Sequence, residues 1–152
     1  MRDVLIIGVS SNVGFDGIVE HFTGLGGEVV LLDPSMVCGR DHIVSAVAHA
    51  DRAFARGANR SKTILTEVIL YAAGDRQIGR ATERMRPKGN DVVAVLFGIS
   101  DPKLDAICAE RRDDLFEPSA DKALALGVSL VDGIPPEDLV LEHVAMVDLM
   151  KQ

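Results

Sequence analysis

Tryptophan is absent from this 152-residue chain, which has one tyrosine and five phenylalanines. Ala, Val, Leu and Ile must therefore fill the core. Cysteine is nearly absent too. Cys38 and Cys108 stand far apart, outside any CxxC pattern, which argues against a disulfide framework or a cysteine-rich zinc site and fits a reducing cytoplasm. No apolar run approaches the roughly 20 residues of a membrane span, and no apolar segment follows a basic start, so a soluble protein with no membrane partner is expected. Repeats, low-complexity tracts and linkers are lacking as well. At 47% hydrophobic residues, the chain is long enough to bury a core and is expected to form one domain over residues 1–152.

What the chain has in quantity is charge, unevenly placed. Net charge is −7, yet nine of the sixteen Lys and Arg fall between Arg52 and Lys88: Arg52, Arg56, Arg60, Lys62, Arg76, Arg80, Arg84, Arg86 and Lys88. Only Glu67, Asp75 and Glu83 oppose them, so the segment is +6 and the remainder −13. An even spread would place about four cations there. Such segregation points one surface at something anionic, although a solvated helix face is the plainer reading of helical arginines.

Periodicity sets the elements. Val4–Val9 predicts a strand apolar on both faces, Phe15–Leu25 a helix closed by Gly26 and Gly27, and Val29–Leu32 a second strand. From Asp41 to Arg86 the pattern is helical. Ile43, Val47, Ala50 and Phe54 share one stripe of the first helix, while Ser45, His49, Arg52 and Arg56 lie opposite. Ser61 is the expected N-cap of the next helix, Gly74 its stop, and Asp75 the cap of a third over Arg76–Met85. That third helix has Ile78, Ala81 and Met85 on an apolar stripe and Arg76, Arg80 and Arg84 on an exposed one, with Glu67 within reach as a partner. Val92–Phe97 predicts a strand, Asp101–Arg112 and Ala120–Leu126 helices, Val128–Val131 a short strand, and Pro135-Pro136 the start of a final helix reaching about Lys151. The expected fold is α/β (α+β): a mixed β-sheet, a helical central segment and a C-terminal helix.

Few residues suggest chemistry. A strand, then Gly8-Val9-Ser10-Ser11-Asn12-Val13-Gly14, a helix, and a strand ending at Asp33 mimics a dinucleotide-binding unit. The central glycine is missing, however, and the chain turns helical where a third parallel strand belongs. A small nucleotide-binding enzyme built on this unit is the alternative reading. Ser10 and Ser11 lack a nucleophile-elbow context. His42 and His49 are two turns apart, too far to share a metal, and read as helix-surface or half-buried histidines. Cys38 and Cys108 read as small buried hydrophobes. No catalytic residue, metal or cofactor is expected.

One stretch has a family likeness. His42, Ala46, His49-Ala50, Ala53 and Ser61-Lys62, followed by Glu67-x-Ile69-Leu70-Tyr71-x-x-Gly74-x-Arg76-Gln77-Ile78-x-x-Ala81, resemble the PRPK-binding protein family (TPRKB-type), a small subunit of the KEOPS complex. The resemblance is sharpest over Asp41–Met85. It implies a non-catalytic subunit that docks on the N-lobe of the small atypical kinase/ATPase of KEOPS and raises its activity. Through the kinase it would meet the transferase subunit, and it would bind tRNA, including the 3′ CCA end, in support of threonylcarbamoyladenosine formation. The basic island then supplies the expected tRNA contacts, Arg76, Arg80 and Arg84 with Arg52, Arg56, Arg60 and Lys62, and Tyr71 or the Gly74 corner would sit beside unpaired bases. The final helix is apolar on almost every side. Leu139, His143, Met146 and Met150 form one stripe and Leu141, Ala145 and Leu149 another. One stripe is expected inside, and the Leu141, Ala145 and Leu149 stripe on the kinase, unless the whole helix is core.

Overall fold

The computed structural model describes residues 3–151. Alternation builds its sheet. β1 (Val4–Ser10), β2 (Glu28–Leu32) and β3 (Asp91–Phe97) each send successive apolar side chains to opposite faces. Ile7, Val9, Leu31, Val92, Ala94 and Leu96 meet one core; Ile6, Val30, Leu32, Val93, Val95 and Phe97 meet the other. β4 is the two-residue Glu110–Arg111. The strand order is β2-β3-β1-β4. Every pair is antiparallel, so the sheet expected to be mixed is antiparallel throughout, while the α/β class, helical centre and C-terminal helix are as expected.

Helix α1 (Gly14–Gly24) covers one face with Ile18 and Phe22. The other face carries α2 (Arg40–Ala55), α3 (Ile64–Ala73), α4 (Ile78–Met85), α5 (Ala120–Ala125), α6 (Pro136–Ala145) and α7 (Val147–Met150). In α2 the predicted stripe is buried at Ile43, Val47 and Ala50 and partly buried at Phe54. Helix α3 ends as predicted at Gly74, which is left-handed (φ 68, ψ 33). A Cβ there would also lie 2.2 Å from the His143 ring, so both the turn and the packing require glycine.

Several expectations are corrected. Thr63, not Ser61, caps α3, accepting from the Thr66 amide at 3.3 Å. Gln77 caps α4, which begins two residues late because the Asp75 carboxylate accepts from the Gln77 amide and is held by Arg80. The helix expected over Asp101–Arg112 does not form. Lys103 and Cys108 are left-handed, and a short 3₁₀ turn, Leu104–Ile107, lies between them. The chain then joins the sheet as β4, and the Arg112 amide donates to the Gly8 carbonyl at 2.8 Å. Val128–Val131 is not a strand. The Val128 amide returns to the Ala123 carbonyl, and Leu130 and Val131 are exposed. The final helix is divided at Met146, and its buried line is Val140, Val144 and Val147, with Leu139 alongside, between the two predicted stripes.

The likeness to a dinucleotide fold ends at the sheet. β3 separates β1 from β2, whereas the dinucleotide unit pairs them directly. Gly8 is needed for another reason: a Cβ there would sit 1.8 Å from the Arg112 carbonyl oxygen. The Asp33 carboxylate accepts from the Ser35 amide and hydroxyl and pairs with Lys88 at 3.3 Å.

Candidate nucleic-acid and partner interfaces

The structure divides the basic island into groups. Arg80 and Arg84 converge on Asp75, which is 7% exposed. Arg80 grips both carboxylate oxygens, and Arg84 also donates to the Ala125 carbonyl at 3.2 Å. The Arg80 contact, with the Gln77 amide and Arg84, holds the Asp75 carboxyl down at about 2. Arg76 precedes α4, so the regular Arg76, Arg80 and Arg84 stripe is broken at its first member. Its guanidinium instead donates to the Met150 carbonyl at 3.1 Å.

Arg60 joins Arg76 at the same turn, donating to the Lys151 carbonyl at 2.9 Å. Arg52, Arg56 and Lys62 are exposed. Arg86 and Lys88 lie elsewhere, Lys88 on Asp33 and Arg86 with its guanidinium carbon 5.8 Å from the Phe15 ring centroid. That pair borders a cleft of about 170 Å³ floored by Leu31, Leu32, Ile69 and Met85.

Under the island lies a polar cluster that sequence reading missed. Glu67 is fully buried. It does not pair with the arginines of α4; its carboxylate accepts from the Arg60 and Ser61 amides, the Ser61 hydroxyl (2.7 Å) and the Lys151 ammonium. Burial pushes the Glu67 carboxyl up, but these donors outweigh it and hold it below its ordinary value. Lys151 also reaches the Tyr71 hydroxyl at 3.0 Å, with its nitrogen 4.3 Å from the ring centroid. The Tyr71 hydroxyl donates to Asp148, and His49 contacts the same carboxylate at 3.0 Å. Burial, then Asp148, raises the Tyr71 hydroxyl pKa. Tyr71 is 0% exposed and His143 covers Gly74, so neither offers a stacking surface as expected.

This cluster bears directly on the island's charge. Lys151 cancels Glu67, and Asp75 is occupied by Arg80 and Arg84, which leaves Glu83 as the exposed acid of the Arg52–Lys88 segment. The signal in the sequence was a glutamate and a tyrosine on a mostly apolar helix; the lysine that completes the pair is 84 residues away.

His42 also differs from expectation. It is fully buried, its Nδ1 accepts from the Cys38 amide (3.0 Å), and its Nε2 faces the Ala72 carbonyl (2.8 Å). That arrangement fixes a neutral ring, and burial lowers its pKa to about 4. Cys38 is buried as expected, but Cys108 is exposed.

The second surface is apolar. Ala145 and Leu149 are exposed, Leu149 at 59%, and Leu141 is half-buried. Beside them Val131, Ile134 and Met146 line a groove of about 350 Å³ with Glu142 on its edge. Among the described residues no group of three or more His, Cys, Asp or Glu is placed to hold a metal ion, and no helix is long and apolar enough to cross a membrane.

A cationic face and an uncovered apolar strip on one small scaffold are the features of a binding protein. The chain belongs to the family described as kinase binding protein CGI-121, whose profile it matches over residues 23–146. It is also 34% identical over 62 residues to the KEOPS complex subunit Cgi121 of Pyrococcus abyssi (strain GE5 / Orsay), a match covering 41% of this chain and about a third (36%) of that protein.

Proposed function

We propose that this protein is a non-catalytic, cytoplasmic subunit of a KEOPS assembly, one that docks on and stimulates the atypical kinase/ATPase and binds tRNA, including its 3′ CCA end, in support of threonylcarbamoyladenosine formation. Contact with the transferase subunit would be indirect, through the kinase. The observation that carries the docking reading is family membership together with the apolar strip on α6 and α7. A monomeric surface seldom leaves Leu149, Met146 and Ile134 grouped in solvent without a partner to cover them.

The RNA reading rests on the island, whose own acids are largely neutralised. Arg52, Arg56, Arg60, Lys62 and Arg76 can meet phosphates and release counterions. Arg80 keeps a 60% exposed side chain despite its pairing with Asp75. The Phe15–Arg86 pair and its cleft offer an unpaired base an aromatic face and a guanidinium.

The test uses the purified chain with the kinase subunit and with tRNA. Leu149→Arg combined with Ala145→Arg should abolish kinase capture while leaving thermal unfolding within a few degrees of the unchanged chain. Retained capture would move the interface elsewhere. Binding of tRNA should weaken steeply with salt, with a log–log slope near 0.7–0.9 per phosphate contact, and weaken again when CCA is removed. Salt-independent binding would defeat the RNA reading.

A further inference from the structure

Arg60 and Arg76 lie in two different connections, before α3 and before α4, yet their guanidiniums meet the carbonyls of two successive residues. Arg76 donates to Met150 (3.1 Å) and Arg60 to Lys151 (2.9 Å). These are carbonyls of the last helical turn, which lack partners within the helix and carry its partial negative charge. The turn is itself fastened from beneath. The Lys151 side chain, 6% exposed, reaches buried Glu67 and lies over Tyr71, and Asp148 takes the Tyr71 hydroxyl and His49.

We infer that turn 147–151 is a positioning element that aligns Arg60 and Arg76 side by side into one seat for a phosphate group. Each guanidinium has five N–H donors in a fixed plane. The carbonyl contact takes one nitrogen of each and fixes the plane, and both side chains remain exposed. Two cations held on adjacent carbonyls repel each other, and an anion bridging them relieves that repulsion while accepting from both forks. Lys151 takes no part in the seat, because its charge is spent on Glu67. The inference rests on the RNA-binding reading for the source of the phosphate; a free phosphate offers the same chemistry.

The experiment measures tRNA affinity across a salt series for the full chain and two variants. Arg60→Lys with Arg76→Lys keeps the charge, lies on exposed positions, and removes only the planar forks. Affinity should fall about tenfold, as expected when two bidentate contacts become point charges. Equal affinity and slope would overturn the seat. Lys151→Met with Glu67→Gln removes the buried pair together, leaving no lone charge and no change to either arginine side chain; Glu67 meets Arg60 only at its backbone amide, which the glutamine oxygen can still take. Affinity should fall about fivefold and the salt slope should drop by about one contact. A folded double variant that binds like the unchanged chain would overturn the role of the turn. Should that variant not fold, the Arg→Lys pair decides. If the unchanged chain binds no tRNA, the RNA reading fails, and the seat is judged with inorganic phosphate by NMR of the arginine side chains. Shifts at Arg60 and Arg76 that vanish in the Lys pair support it, and their absence overturns it.

Discussion

The two faces of the sheet are built on different principles. Under α1, β1, β2 and β3 meet an apolar cluster: Ile18 and Phe22 against Ile7, Val9, Leu31 and Leu96. Under α2–α7 the core is larger but is threaded with groups that prefer water, His42, Glu67, Asp75 and Tyr71. Each of these has its partners: a carbonyl and an amide for His42, four donors for Glu67, two arginines for Asp75, a carboxylate and an ammonium for Tyr71. The first face is held by shape and loses stability in proportion to lost contact. The second is held by these partners, since a buried polar group stripped of one is costly; among its described side chains the buried His143 Nε2 is the exception that has none.

The largest effect should come from the apolar face. Phe22→Ala deletes a fully buried ring and should cost about 4 kcal/mol in urea unfolding. A loss below about 1 kcal/mol would show that the α1 face can close over the gap. On the polar face, Lys151→Met alone strands the Glu67 carboxylate and should cost about 3–4 kcal/mol. Adding Glu67→Gln should recover most of that. If the double variant is no more stable than the single one, packing around Lys151 matters and its charge does not.

Acid should also separate the faces. His42 has its pKa lowered from 6.5 to about 4 in the folded state, so the unfolded chain takes up its proton first. Its contribution is intact above pH 6.5 and is lost as pH falls toward 4, on the order of 3 kcal/mol at 1.36 kcal/mol per unit. Asp75, held at about 2 against 3.8, adds a further loss below pH 4. A His42→Gln variant with an unchanged acid branch between pH 6.5 and 4 would assign that loss elsewhere. The smallest effect should be at the surface: Thr63→Ala removes the α3 cap and should cost about 1 kcal/mol, by the same unfolding measurement.

This division also explains what could be read in advance. The three long strands, α1, the α2 stripe and the Gly74 stop follow from side-chain period and from glycine, which are local signals. Of the two segments that differ, 101–112 is set by a distant partner, since the Gly8 carbonyl takes the Arg112 amide beside β4, whereas 128–131 is set locally by the end of α5, where left-handed Gly127 turns the Val128 amide back to the Ala123 carbonyl. The basic island was legible as a count, but its geometry was not. Nothing near Arg76 announces that its partner is the carbonyl of Met150, and nothing near Glu67 announces Lys151. The exposed Ala145 and Leu149 were expected on the kinase side, and they do face solvent, whereas the inward line of α6 and α7 runs through three valines.

The position of β3 has a consequence for how the molecule is made. β1 and β2 each use β3 as a neighbour, with Val4 opposite Phe97 and Glu28 opposite the same residue on its other side. Until residues 91–97 leave the ribosome, both early strands lack that partner and keep an open edge. The helices of the middle segment can form in the meantime from contacts close in sequence. Sheet closure then inserts one central strand between two waiting ones, so the nascent chain carries two apolar, aggregation-prone edges from the end of β2 at Leu32 until β3 is complete at Phe97, the interval in which a chaperone would have most to protect.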